Sequence, residues 1–264
     1  LSIVAPKATD DIEVGPIRLS SVSPERLFSK FLTVGIKDAD NDKPLPCRIT
    51  IVDGNGALAA LRPAPGQRLA HRPGVIYVSN GQARIGLLPG SYTVFASRGF
   101  EYSVAKKAVE ITLDKPVELQ LELRREVPTP GLIATDTHIH TLTRSGHGDS
   151  TEEERMHTIA GEGIELAVAT DHNHHADYQP VQKATGTSAF FTSVIGNEVT
   201  TKTGHFNAFP IAPKSAVPDY KLGDWTKLMA SMRSTSGVRV VVLNHPRNIH
   251  SGFSPVAAEN FNPV

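Results

Sequence analysis

Apolar and polar residues alternate along the first half of the chain, in short runs separated by glycine, proline and asparagine. A period of two residues is typical of strands that bury one face and expose the other. Strong turn signals, such as Asp53-Gly54-Asn55-Gly56 and Leu88-Pro89-Gly90, lie between the runs. Many short strands at this spacing predict a β-sandwich accessory domain over residues 1–127. The strands are predicted at residues 31–36, 48–52, 75–78, 83–88, 92–96, 104–111 and 117–123.

The pattern changes after residues 128–131, where two prolines and a glycine indicate a linker. In residues 132–264, short apolar runs alternate with helical segments, which predicts an α/β domain. Ser150 and Glu153 have the spacing of a capping box, and Trp225, Leu228, Met229 and Met232 form a helical stripe typical of core packing. After the run that precedes Asp136, further strands are predicted at residues 165–170, 193–201, 205–211 and 239–243.

Composition narrows the classes of partner. The chain has 264 residues with 27 basic and 27 acidic side chains, and no cluster of lysine and arginine indicates a nucleic-acid or anionic membrane surface. No apolar run approaches the roughly 18 residues that a membrane-spanning helix needs. The single cysteine, Cys47, excludes disulfides within the chain and cysteine-rich metal sites. We therefore expect a small-molecule partner, and the oligomeric state stays open.

Ionisable side chains stand at the ends of the predicted strands of the second half. Ten of the eleven histidines lie between positions 138 and 250. His138 and His140 are separated by one residue, so on a strand both imidazoles face the same side and can bind one ion. Together the strand-end residues form a nitrogen and oxygen ligand set without thiolate, suited to zinc, manganese or iron(II). The proposed ligand set is His138, His140, His172, Glu198, His205 and His245.

The order of these motifs resembles the PHP superfamily (polymerase and histidinol phosphatase domains), in particular its carbaryl-hydrolase-like metallohydrolases. The first half carries a second resemblance, since the hairpin from Gly86 to Val94 is similar to transthyretin-like, carboxypeptidase-regulatory-type sandwich domains. The motifs that carry the PHP resemblance are Asp136-Thr137-His138-Ile139-His140-Thr141, Ser145-Gly146-His147-Gly148-Asp149, Thr170-Asp171-His172-Asn173, Gly196-Asn197-Glu198-Val199-Thr200, Gly204-His205-Phe206-Asn207 and Asn244-His245-Pro246-Arg247.

The PHP resemblance implies a distorted β/α barrel with two or three divalent metal ions. His138, His140 and Glu198 would hold one ion, and Glu198 would bridge to a second ion held by His205 and His245. His172 would serve a third ion together with His147 or Asp149, of which Asp149 is favoured. Asp136 and Asp171 would orient ligands. Arg247 would steady an anionic group or the developing oxyanion, or would serve only as a surface salt-bridge partner.

The implied activity is metal-dependent hydrolysis of an ester, carbamate or amide bond in a small molecule by a metal-activated hydroxide. A phosphoesterase on the same metals is the alternative enzyme. The non-enzymatic alternative is a secreted binding protein with a structural or degenerate metal site.

The sequence departs from the family at its end. The late Asp-x-His motif is missing before Asn262-Pro263-Val264, and only five barrel strands are predicted. We therefore expect a C-terminally incomplete barrel, because the sequence is a fragment or because other ligands come from another chain or water. The first residue is Leu1, which suggests processing and favours a periplasmic or secreted protein while leaving the cytoplasm open.

Overall fold

The computed structural model describes Phe28, residues 31–112 and residues 115–246, and within the first part of this range nine strands form two sheets. One sheet has the order β3-β6-β1-β9 and the other β4-β5-β2-β7-β8. The strands are β1 (Phe31–Asp38), β2 (Cys47–Asp53), β3 (Leu61–Pro63), β4 (Ala70–Arg72), β5 (Val75–Val78), β6 (Gln82–Leu87), β7 (Gly90–Ser97), β8 (Ala105–Ile111) and β9 (Val117–Leu123).

The two sheets share one hydrophobic core built by alternate residues of their strands. In β2, for example, Cys47, Ile49 and Ile51 are fully buried while the residues between them are partly exposed. The turn after β2 is closed by Asp53, whose side chain accepts hydrogen bonds from the backbone amides of Asn55 and Ala57. The sequence did not predict the three-residue strands β3 and β4, which are too short to show a period.

Two small sheets follow in the second half, with the orders β10-β11-β12 and β13-β14-β15. The strands are β10 (Thr135–Ile139), β11 (Leu166–Ala169), β12 (Thr192–Ile195), β13 (Asn197–Thr201), β14 (Gly204–Phe209) and β15 (Val240–Leu243). The helices are α1 (Leu142–Ser145), α2 (Glu152–Gly161), α3 (Gln179–Thr185) and α4 (Trp225–Ser234). Each sheet contributes to a separate hydrophobic cluster.

The β/α barrel expected from the sequence is wrong for the part of the chain that the structure describes. In the second half, β10, β11 and β12 pair in parallel, whereas β13, β14 and β15 are antiparallel. The strand predicted over residues 193–201 divides at Gly196, and its two parts belong to different sheets. A Cβ atom at Gly196 would lie 2.8 Å from the carbonyl oxygen of Ala169, so this close passage requires glycine.

The helix predicted near residue 150 forms one residue later than the sequence pattern indicates. Thr151 and Glu154, and not Ser150 and Glu153, make the reciprocal capping box of α2. The carbonyl oxygen of Ser150 instead accepts a hydrogen bond from the backbone amide of Leu142, at 2.7 Å. The hydrophobic stripe of α4 packs as predicted, since Leu228 and Met232 are completely buried.

Helix α2 packs directly on the sandwich. A Cβ atom at Gly161 would lie 2.9 Å from both the carbonyl oxygen of Cys47 and the ring of Tyr77. The buried guanidinium of Arg98 donates hydrogen bonds to the carbonyl oxygens of Pro46 (2.9 Å) and Ala160. A sandwich residue therefore supplies a hydrogen-bond donor to a carbonyl group in the last turn of α2. The division into residues 1–127, a linker at 128–131 and residues 132–264 stays a prediction.

No helix in the described residues combines the length and the apolar character needed to cross a lipid bilayer.

Candidate metal centre

A single buried carboxylate, that of Glu198, lies at the centre of the histidine cluster. Oε2 of Glu198 faces nitrogen atoms of His138 (3.3 Å), His140 (2.9 Å) and His172 (3.1 Å). Its Oε1 faces His205 (3.2 Å) and His245 (3.3 Å), and accepts a hydrogen bond from Nδ2 of Asn244 at 2.9 Å. The structure therefore brings together six of the eight residues proposed from the sequence as metal ligands.

Each of these residues lies in a strand or directly after one. His138 is in β10 and His140 follows it, while His172 comes three residues after the end of β11. Glu198 is in β13 and His205 in β14, and His245 follows β15. A bridge between His172 and Glu198 joins the ends of the two small sheets. The cluster thus forms where the sheets meet.

Burial and hydrogen bonding set the charges of the cluster. Burial by itself would raise the pKa of Glu198, but hydrogen bonds from His138, His140 and Asn244 outweigh it and hold the pKa far below its usual range. Burial lowers the pKa of His172 to about 4. At neutral pH the cluster therefore contains an ionised carboxylate and a neutral His172, the forms that bind metal ions.

The donor set fits a divalent cation better than it fits a hydrogen-bond network alone. Potential ligand atoms of His138, His140 and Glu198 lie within 4.8 Å of one another, and so do those of His172, Glu198 and His205. Five imidazoles and one amide surround two carboxylate oxygens, which offer about four lone-pair sites. A cation between imidazole and carboxylate satisfies both kinds of ligand at once.

Asp171 is fully buried and organises the residues beneath the cluster. Its Oδ1 accepts hydrogen bonds from the backbone amide of Thr141 (2.8 Å) and the hydroxyl of Ser145 (2.8 Å), while Oδ2 accepts from Tyr178 (2.9 Å). Ser145 Oγ also lies 3.2 Å from Nδ1 of His140. Asp171 is therefore connected to His140 through Ser145, and its orienting role stays a prediction.

Two asparagines at the cluster were not assigned a role from the sequence. Asn244 Nδ2 donates to Asn207 Oδ1 at 2.7 Å as well as to Glu198, and Asn207 Nδ2 donates to the carbonyl oxygen of Thr137 at 2.7 Å. This chain of hydrogen bonds connects β10 with β14 and the end of β15. Asn244 directly precedes His245, and Asn207 comes two residues after His205 in its motif; this proximity was the available signal.

The remaining proposed site residues have different surroundings. Asp136 Oδ1 accepts the backbone amide of His138 at 2.9 Å. The ring of His147 lies 4.7 Å from that of His172 and 5.5 Å from that of His140, between centroids. Asp149, favoured over His147 from the sequence, forms an ion pair with Arg72 of the sandwich at 2.9 Å. Arg247 lies outside the described residues.

A cavity of about 950 Å³ separates part of the sandwich from the second half, and the cluster opens on it. His138 and His140 form part of one wall, and Arg72 and Tyr77 line the sandwich side. Arg155 of α2 also lines it and donates to the carbonyl oxygen of His140 at 3.1 Å. Solvent therefore reaches the cluster from the side of the sandwich.

No family model matches this chain. No curated protein matches it either. Among solved structures, it is similar to the major pilin subunit BcpA of Bacillus cereus, with 15% identity over 37% of this chain and 30% of that one and a TM-score of 0.30. The shaft pilin SpaA of Lactobacillus rhamnosus GG (E269A mutant) has 15% identity over 38% of this chain and 47% of its own, with a TM-score of 0.28.

The Bacillus anthracis TIE protein has 16% identity over 36% of this chain and 16% of its own, with a TM-score of 0.27. The chain spans less than half the length of each of these three structures. No function is carried over from them to this chain.

These findings correct the assignment made from the motifs. The resemblance to PHP metallohydrolases is wrong, since the described strands form no barrel and no family model matches. The assignment as a metal-dependent hydrolase, acting on ester, carbamate, amide or phosphate bonds, depended on that resemblance and is wrong with it. The role of Arg247 at a developing oxyanion and a small-molecule substrate lose their basis. The orienting roles of Asp136 and Asp171 stay predictions.

Proposed function

We propose that the chain is a non-enzymatic metal-binding protein, in which two or three divalent cations (zinc, manganese or iron) hold together the two small sheets of the second half. The observation that carries this proposal is the convergence of five imidazoles on the buried carboxylate of Glu198. His138, His140 and Glu198 would hold one ion, and Glu198 with His205 and His245 a second. His172 would contribute to a further position.

The origin of the ligands supports a structural role. The sheets β10-β11-β12 and β13-β14-β15 pack on different hydrophobic clusters, so each has a core of its own. Histidines come from or follow strands of both sheets, and Glu198 lies in the second. A cation bound by both sets would add free energy to the contact between the sheets, because the ligand set is incomplete in the unfolded chain.

A periplasmic or secreted location is part of this proposal, and its support is the β-sandwich that accompanies the metal-binding half. The test is to express the protein in its native cells and to locate it by cell fractionation. Recovery of the protein in the cytoplasmic fraction alone would reject this location without affecting the proposed metal site.

The test of metal binding combines metal content with stability. After chelation, protein reloaded with Zn²⁺ and desalted is analysed by mass spectrometry of the metals and by thermal unfolding. We expect about two or three ions per chain and a higher Tm for the loaded form. Replacing His140 and Glu198 together, as His140→Ala with Glu198→Gln, should remove most of the metal and the increase in Tm.

His71→Ala is the matched control, because His71 lies in β4 outside the cluster, and this variant should keep the metal content of the wild type. Wild-type protein without bound metal, or a Tm that is insensitive to metal, would overturn the proposal. Metal-dependent turnover of an ester or phosphate ester, lost on chelation and in the His140 and Glu198 variant, would overturn the non-enzymatic assignment.

A further inference from the structure

We propose that Arg72 of the sandwich is the residue that positions the His147 loop, residues 146–149, over the metal cluster, so that the sandwich sets the metal affinity of the His147 and His172 side. This inference rests on the proposed function and names a residue outside the motif-bearing half.

Arg72 uses its whole guanidinium on one short stretch of the second half. Its Nε pairs with Asp149 Oδ2 at 2.9 Å, and its Nη2 donates to the backbone carbonyl of Asp149 and to Ser150 Oγ at 3.1 Å. Its Nη1 pairs with Glu154 Oε1 at 3.1 Å. A planar fork with several donors fixes both the side chain and the backbone of Asp149, which the single ammonium of lysine cannot do.

The loop has few contacts of its own beyond the hydrogen bond from the backbone amide of Gly146 to the carbonyl oxygen of Leu142 at 3.1 Å. Gly146 and Gly148 flank His147 with positive φ angles of 74° and 93°. A Cβ atom at either glycine would have no neighbour within 4 Å, so neither position is packed. Glycine has few backbone restraints of its own, so contacts at the two ends of the His147 loop determine the conformation of this loop.

One end is fixed inside the second half, and the other is held from both the second half and the sandwich. Ser145 donates to the buried carboxylate of Asp171 at 2.8 Å, just before the loop. The far end is held by Arg72 at Asp149 and, one residue later, by the carbonyl oxygen of Ser150, which accepts a hydrogen bond from the backbone amide of Leu142 at 2.7 Å. His147 lies between these two anchors and places its exposed ring 4.7 Å from the ring of His172. In this geometry the side chain of Asp149 pairs with Arg72, and the side chain of His147 faces the cluster.

The experiment is calorimetric titration of metal-free protein with Zn²⁺, carried out on the wild type, Arg72→Ala, His147→Ala and the double variant. Loss of a residue that orients a ligand typically weakens metal binding about 10–100-fold, so we expect a loss of at least about 10-fold at the weakest site in each single variant. The double variant should bind like His147→Ala alone, because Arg72 acts through His147. A general loss of stability would not produce this non-additivity.

Arg48→Ala is the matched control. Arg48 pairs with Glu162 of the second half at 3.7 Å in the same interface but does not contact the loop, so this variant should keep the wild-type affinity. If Arg72→Ala does not fold, Arg72→Lys carries the test, since it keeps the charge and loses the fork; we expect it to bind Zn²⁺ at least about threefold more weakly.

The outcomes separate this inference from the proposed function. Wild-type protein that binds no Zn²⁺ rejects the metal site itself. Wild-type binding with unchanged affinity in the foldable Arg72 variants, or additive effects of Arg72→Ala and His147→Ala, overturns the positioning role and leaves the metal site standing.

Discussion

The Nε2 atom of His140 lies 2.9 Å from Oε2 of Glu198, although His140 follows β10 in one small sheet and Glu198 lies in β13 of the other. This pair is one of five similar contacts to the same carboxylate, and they make Glu198 the residue on which the proposed metal centre depends. Groups that hold Glu198 in place should therefore affect metal binding without touching a metal ion.

Asn244 provides the first prediction. Its side-chain amide donates to Oε1 of Glu198 at 2.9 Å and to Asn207 at 2.7 Å. We expect Asn244→Ala to weaken Zn²⁺ binding about 10–100-fold by calorimetry, because the carboxylate loses the donor that orients it. Asn41→Ala, in an exposed turn of the sandwich, is the control. Equal affinities in the two variants would show that Asn244 does not orient Glu198.

The second prediction concerns the buried carboxylate of Asp171. The Tyr178 hydroxyl donates to Oδ2 of Asp171 at 2.9 Å, and both residues are buried. Tyr178→Phe leaves that oxygen without its donor, so chemical denaturation should show a loss of about 1–3 kcal/mol in the free energy of unfolding. Tyr220→Phe, at a partly exposed position, should change it by less than about 0.5 kcal/mol. If Tyr178→Phe leaves the free energy of unfolding unchanged, another donor reaches Oδ2 of Asp171.

The third prediction tests the contact between α2 and the sandwich. A Cβ atom at Gly161 would lie 2.9 Å from the backbone oxygen of Cys47. Gly161→Val should lower the free energy of unfolding by about 1–3 kcal/mol, because the helix must move away from the sheet. Gly223→Ala, where a Cβ atom meets nothing within 4 Å, serves as the control. A Tm equal to that of the control would show that the two halves do not pack in this way.

The fourth prediction uses Cys47. Burial raises the pKa of this thiol to about 12. Because the thiolate is the reactive form, a disulfide reagent at pH 8 should modify the folded protein far more slowly than the unfolded protein. The measurement uses a disulfide reagent that releases a coloured thiol when it reacts, and compares the rate of this release with and without denaturant. Rapid labelling of one thiol in folded protein would contradict the burial of Cys47.

The fifth prediction is a pH dependence. Burial lowers the pKa of His157, an effect that Glu153 and Glu154 oppose without cancelling it. The unfolded chain therefore takes up this proton first, near pH 6.5, and stability is present above that pH and lost as the pH falls below it. One proton contributes a slope of at most about 1.4 kcal/mol per pH unit.

His157→Gln should reduce the loss of stability between pH 7 and pH 5, measured by denaturation in the presence of a chelator. The other histidines are common to both proteins, so they cancel in the comparison. Identical pH profiles would show that His157 is not held neutral by burial.

Seven of the nine described strands of the first half could be predicted from the sequence, because alternation in β2 and its neighbours directly encodes which face is buried. Four of the six proposed ligands could be selected for a similar reason, since an ionisable residue after an apolar run stands at or near the end of a strand. Glu198 and His205 instead lie near the starts of β13 and β14. Neither pattern contains the pairing of strands, so the division at Gly196 and the antiparallel arrangement of β13, β14 and β15 were not predicted.

The sequence by itself determined the local elements and the chemical character of the second half, because strand periodicity and side-chain type are properties of neighbouring residues. Only the tertiary structure decided that five histidines meet at Glu198, that His147 and not Asp149 faces the cluster, and that Arg72 reaches across from the sandwich. These are contacts between residues far apart in the chain, and they depend on how sheets and helices pack.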